Sequence, residues 1–149
     1  MPSKRFKQLA RVMAIAVPVF MLTAATAVAK PGPLYSTAGG WTCANGVSDT
    51  SGSTFGSASI RVSSQNSATY NIRLRGATPN TTYNLYLSET RSSSCGTFLQ
   101  TTMTTDARGN ASLRLGGQLV SGAATGFNFK LTSQSSATDE YGTPEITSF

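Results

Sequence analysis

Histidine is absent from all 149 residues. That absence removes the Ser-His-acid triad, the Cys-His pair and the usual imidazole ligands of zinc and copper. Acids are scarce as well, limited to Asp49, Glu89, Asp106, Asp139, Glu140 and Glu145. A glycosidase needs two carboxylates opposed across a cleft, and most of these six fall in expected turns, with Asp139 and Glu140 reading as a solvated loop. The many serines lack their commonest activating base, and Lys130 is expected on the outward face of its strand, so a Ser-Lys pair is not supplied. A hard cation asks for six to eight oxygens, which Asp106 and Asn110 do not provide locally. No catalytic residue, metal site or cofactor is therefore expected.

The chain also has little charge once its first 29 residues are set aside. Lys4, Arg5, Lys7 and Arg11 lead into an apolar run from Val12 to Ala25, followed by Ala27-Val28-Ala29. This pattern reads as a secretory signal peptide over 1–29, too short and alanine-rich for a comfortable membrane span. Four of the twelve basic residues and none of the six acids lie there, so the net charge of +6 falls to +2 for residues 30–149. Spread over Lys30, Arg61, Arg73, Arg75, Arg91, Arg108, Arg114 and Lys130, that charge gives no dense cationic stripe in the sequence, and nucleic acid is not an expected partner. No later apolar segment or lipid-accepting cysteine suggests membrane insertion. The expected product is secreted and extracellular.

Only two cysteines occur, Cys43 and Cys95, 52 positions apart and both beyond the leader. In an oxidising compartment such a pair reads as one disulfide, contributing about 4 kcal/mol by loop-closure entropy. In residues 30–149 helix formers are few, and Ser, Thr and Gly dominate. Alternation marks strand faces at Ala58, Ile60, Val62; at Tyr70, Ile72, Leu74; at Tyr83, Leu85, Leu87; at Leu99, Thr101, Met103; at Ala111, Leu113, Leu115; and at Phe127, Phe129, Leu131. A last strand is expected from Glu145 to Phe149 with Ile146 inward. Turn signals separate these runs, and Asp106-Ala107-Arg108-Gly109-Asn110 predicts a tight hairpin. The fold expected is all-β, an antiparallel β-sandwich of about seven strands over 53–149, preceded by a flexible Gly/Ser/Thr-rich segment over 30–52.

The stretch Leu74 to Leu87, with Pro79-Asn80-Thr81-Thr82-Tyr83 at its centre, resembles the strand-corner-tyrosine-strand segment of fibronectin type III and other immunoglobulin-like sandwiches. The resemblance implies an immunoglobulin-like fold in which the Tyr83 hydroxyl ties the corner to upstream backbone, a structural part. The order of corner, cysteine-bearing loop, Thr105-to-Ser112 turn and closing strand also resembles the neocarzinostatin-type apoproteins, which implies a small-molecule carrier. No ligand-binding residue is carried across from that family.

Two aromatics stand out as candidate contact residues. Tyr86 falls on the outward side of its strand, and Trp41 precedes Cys43 in a polar, glycine-rich segment. Flat aromatic faces carry glycan or protein contacts, while the competing roles are packing over the disulfide for Trp41 and a cross-strand surface pair for Tyr86. The function expected is a monomeric, non-catalytic extracellular binding or structural module for a small molecule, glycan or protein. A small-molecule carrier and a carbohydrate-binding module are the alternatives.

Overall fold

The computed structural model describes residues 31–63 and 67–147, apart from the side chains at 39, 117 and 119. The expected signal peptide, Lys30 and the last two residues of the expected C-terminal strand lie outside the described residues. Within them the chain is nearly all β, with one turn of 3-10 helix at Thr37–Gly39. Its strands are β1 (Gly32–Ser36), β2 (Trp41–Thr42), β3 (Gly46–Val47), β4 (Thr54–Val62), β5 (Ser67–Leu74), β6 (Thr82–Arg91), β7 (Ser94–Thr104), β8 (Ala111–Leu119), β9 (Gly126–Ser133), β10 (Glu140–Gly142) and β11 (Ile146–Thr147). All pairings are antiparallel, in the order β7-β6-β9-β10-β1-β4-β5-β8, with β11 also on β9 and β2 paired with β3.

This sheet folds back on itself. Three strands separate β5 from β9 along the hydrogen-bonded path, yet the Tyr70 and Phe129 rings meet edge-on at 5.6 Å. Phe55 of β4 likewise meets Tyr141 of β10 at 4.7 Å. The fold line is β1, where Gly32 and Pro33 pair with Ala58 and Ser57 while Tyr35 and Ser36 pair with Gly142 and Tyr141. The half formed by β4, β5 and β8 thus faces the half formed by β7, β6, β9 and β10. Between them lie Leu34, Ala58, Ile60, Tyr70, Ile72, Leu74, Tyr83, Leu85, Leu87, Phe127, Phe129 and Leu131, all almost fully buried. Apart from Leu34 these are the inward members of the period-two runs, and burying each contributes about 1.5–3 kcal/mol for the larger aliphatic and aromatic side chains.

Three expectations need correction. Residues 31–52 do not form a flexible segment, because they supply β1, β2 and β3, with Leu34 buried in the core and Val47 buried as well. These short strands gain their burial and backbone partners from distant strands, so no local periodicity announces them. They also raise the strand number above the expected seven or so. In β7, Leu99 is 59% exposed instead of inward, since a bulge at Leu85/Tyr86 slips the register by one residue and turns Leu99 outward opposite Tyr86. The Asp106–Asn110 segment does turn tightly, but it is not a hairpin. Its flanking strands go to opposite halves, β7 onto β6 and β8 onto β5.

That turn is nevertheless built as its residues suggest. Asp106 Oδ1 accepts from the amides of Arg108 and Asn110 at 2.8 and 2.9 Å, which holds its carboxyl below the usual range. Gly109 sits at φ +77°, and a Cβ there would overlap the Ala77 carbonyl oxygen.

Candidate binding surfaces

Each half of the folded sheet has an outer face, and the two differ in chemistry. On the β6–β9 side, Ser88, Thr90 and Asn128 turn away from the core, yet Ser88 and Asn128 are fully buried. The cover is the chain from Gly40 to Val47. Cys43 is bonded to Cys95 of β7 with the Cα atoms 5.9 Å apart, as the sequence suggested. Asn128 Nδ2 donates to the Cys43 carbonyl at 2.7 Å, Thr90 Oγ1 to Ala44 O at 3.0 Å, and Val47 N to Thr143 O at 3.0 Å. The disulfide therefore pins a polar ribbon to the outside of the sheet.

Trp41 lies at the edge of that ribbon, half-buried against Gly142, with the Lys130 ammonium 5.0 Å from its ring centroid. Its indole Nε1 is buried without a hydrogen-bond partner among the described residues, as is Asn128 Oδ1. Lys130 points outward as expected but is not free, since its Nζ pairs with Glu140 at 3.1 Å. Tyr86 is directly opposite Lys130 and Leu99, so Trp41, Lys130, Tyr86 and Leu99 form one row across this face. The structure thus brings Trp41 and Tyr86 onto a common face, with a cation between them.

Tyr83 is buried, and its hydroxyl donates to Asp139 Oδ2 at 2.6 Å. Burial chiefly, then that carboxylate, pushes the hydroxyl up to about 12, while Thr78, upstream in the corner, acts in the opposite sense through its own hydrogen bonds. Asp139 and Glu140 are consequently not a solvated loop, because one receives Tyr83 and the other Lys130 and the Thr37 hydroxyl. The corner itself is held by Thr105, a buried residue whose role no local pattern signals. Its hydroxyl accepts from Thr81 N at 2.9 Å and donates to Thr78 O at 2.7 Å.

On the opposite half, the outward residues of β4, β5 and β8 are Ser57, Ser59, Arg61, Thr69, Asn71, Arg73, Ser112 and Arg114, continued by Arg75. Antiparallel register sets Arg73 between Ser57 and Ser112, Asn71 between Ser59 and Arg114, and Arg61 beside Thr69. Four of the eight basic residues of 30–149 therefore share one exposed face. None of β4, β5 or β8 contains an acid. Among the described residues, none of these four arginines joins an ion pair; the pairs found are Arg91–Glu89 and Lys130–Glu140, both on the other half. The expectation that no dense cationic stripe forms is thereby corrected, because strand register gathers side chains that are far apart in sequence. Four open depressions of about 270–400 Å³ lie on this face, each bordered by Arg73.

Among the described residues, no three Cys, Asp or Glu side chains cluster as a metal-ligand set. No family model matches the chain, and neither the curated proteins nor the solved structures contain a match. The fibronectin type III and neocarzinostatin resemblances gain no support from these comparisons.

Proposed function

We propose that this protein is a secreted, non-catalytic binding module whose working surface is the arginine face of β4, β5 and β8. The observation that carries the reading is the grouping of Arg61, Arg73, Arg75 and Arg114 on one open sheet face whose strands hold no acid, with none of the four in an ion pair; Asp106, in the turn before β8, borders the depression beside Arg73 and Arg75. Like charges on adjacent strands cost stability, so an unneutralised group of this kind suits a partner that supplies the missing negative charge. Export is supported by the leader pattern and by the Cys43–Cys95 bond, which persists in oxidising compartments.

An immunoglobulin-type sandwich is the fold reading favoured by the connections. Hairpins join β4 to β5, β6 to β7 and β9 to β10, while the links from β5 to β6, β7 to β8 and β8 to β9 cross between halves. The carbohydrate-binding alternative rests on the Trp41, Lys130, Tyr86, Leu99 row. It is the weaker reading because Lys130 already occupies the Trp41 ring. The small-molecule carrier asks for an apolar cleft, whereas the depressions described above are open and bordered mostly by polar and charged side chains.

Labelled protein recovered from culture medium, applied to an array of glycans, polyanions and neutral polymers, tests the proposal. Retention on anionic features, lost in R73Q/R114Q, is expected. Retention nowhere on the array would refute a binding role, and hydrolysis of a glycoside, ester or peptide above a mock preparation would refute the non-catalytic part.

A further inference from the structure

We propose that the arginine face holds an extended acidic polysaccharide, with uronate carboxylates on the arginines and sugar hydroxyls on the intervening serines and Asn71; this rests on the binding role proposed above. The arginines are not a compact cluster. Taken by register, Arg75, Arg73, Arg114 and Arg61 fall in successive rows along β5, spanning about 20 Å at roughly 3.3 Å per residue. A band of that length fits a linear chain better than a single small anion. Arginine presents a planar fork of donors matched to a carboxylate, and Arg73 has Arg75 about 7 Å along its own strand and Arg114 diagonally across at 7–8 Å.

The residues between the charges sharpen the choice of ligand. Ser57, Ser59, Thr69, Asn71 and Ser112 offer hydroxyl and amide groups, which suit a polyhydroxylated chain. Aromatic side chains of β4 and β5 turn inward, Phe55 onto Tyr141 and Tyr70 onto Phe129, so the face has no platform on which bases could stack. Nor does it carry an apolar wedge to enter a lipid interface, because the outward positions of these strands are polar. The depressions on the β4 side of Arg73, which no acid borders, give ring substituents somewhere to sit without a deep pocket, while Asp106 borders the one on the β8 side.

Titration of the protein with polygalacturonate, neutral dextran, duplex DNA and phosphatidylglycerol vesicles at two or more salt concentrations decides the matter. The expected result is binding of polygalacturonate and not of dextran, with affinity falling linearly in logarithmic salt. R73Q/R114Q should weaken that binding at least about tenfold and lower the salt slope by about two, with the melting transition retained. R73K/R114K, which keeps charge and loses the fork, should recover only part of it. Equal or tighter binding of duplex DNA or vesicles with the same arginine dependence overturns the polysaccharide assignment and leaves the binding face standing. Absence of binding to every polyanion, or binding indifferent to the arginine substitutions, overturns both.

Discussion

Two buried tyrosines should respond in opposite directions to loss of one oxygen atom. Tyr70 and Tyr83 are both fully buried, on facing halves of the same core. The Tyr83 hydroxyl has a charged acceptor in Asp139 at 2.6 Å, whereas the Tyr70 hydroxyl has no hydrogen-bond partner among the described residues and feels the carboxylate charge of buried Glu89. A hydrogen bond to a charged group stabilises by about 1.5–3 kcal/mol, while a buried hydroxyl left unpaired costs about 1–3 kcal/mol. Tyr83→Phe should therefore destabilise by about 2 kcal/mol. Tyr70→Phe keeps the ring against Phe129 and removes the unpaired group, so it should be neutral or stabilise by up to about 2 kcal/mol.

Urea unfolding of the two variants beside the parent, followed by circular dichroism, measures both values. In a domain of this size about 1 kcal/mol corresponds to a shift in Tm of roughly 4 °C, so thermal melts give the same ordering. An unchanged m-value is needed for the comparison, because a change would mean that the unfolded or native surface had altered. Destabilisation by Tyr70→Phe of more than about 1 kcal/mol would refute the reasoning, since it would require that hydroxyl to be bonded in the folded chain.

The pair C43S/C95S should lower stability by up to about 4 kcal/mol, with amide protection lost first in the ribbon from Gly40 to Val47; urea titration with hydrogen exchange reads both. Stability should be full below pH 10 and fall between pH 10 and about 12. Folded Tyr83 keeps its proton up to about 12, and Tyr70 and Tyr141 are raised by burial as well, where the unfolded chain has lost these protons, giving a slope of up to about 1.4 kcal/mol per pH unit for each. Tyrosinate absorbance amounting to all five tyrosines near pH 10 while circular dichroism stays native would contradict this. Raising salt from very low to about 0.15 M should stabilise the chain by on the order of 1 kcal/mol, and R73Q/R114Q should blunt the gain; a flat response in the parent melt would show that the arginines do not repel.

Strands that bury one face along their whole length were legible, because the period of two survives in Tyr70-Ile72-Leu74, Tyr83-Leu85-Leu87 and Phe127-Phe129-Leu131. The pairing of Cys43 with Cys95 was legible by elimination. What failed was whatever depends on partners distant in sequence. A bulge in the β6–β7 ladder reversed the side on which Leu99 lies, and nothing near Leu99 encodes it. Asn128, between inward Phe127 and Phe129, faces away from the core, but the pinned ribbon covers it. The Asp106 turn showed its local hydrogen bonding in its residues, yet whether its strands pair or part is decided by β5 and β6. Of the candidate surfaces, the aromatic row was half visible in Trp41 and Tyr86. The arginine face was invisible to charge counting, since it forms only when Arg61 and Arg114 are set beside the strand that bears Arg73.

The two outer faces also show why the folded state tolerates an unneutralised cationic band. Two unit charges about 8 Å apart repel by only about 0.5 kcal/mol in water, less with salt, whereas each large side chain of the core contributes several times that. The same arginines under a covering ribbon would be far more costly, because desolvation would be added to repulsion. On the β6–β9 side the covered positions are accordingly Ser88 and Asn128, neutral groups whose hydroxyl and amide nitrogen are hydrogen-bonded, and the cations of that half, Lys130 and Arg91, are matched by Glu140 and Glu89. Apart from Arg108 in the 106–110 turn, the described cations without an ion pair lie on the face with no cover. A covered face and an open one thus differ in what they can do: the disulfide-pinned side closes the fold, and the arginine side keeps solvent-exposed donors, the feature on which the proposed binding role rests.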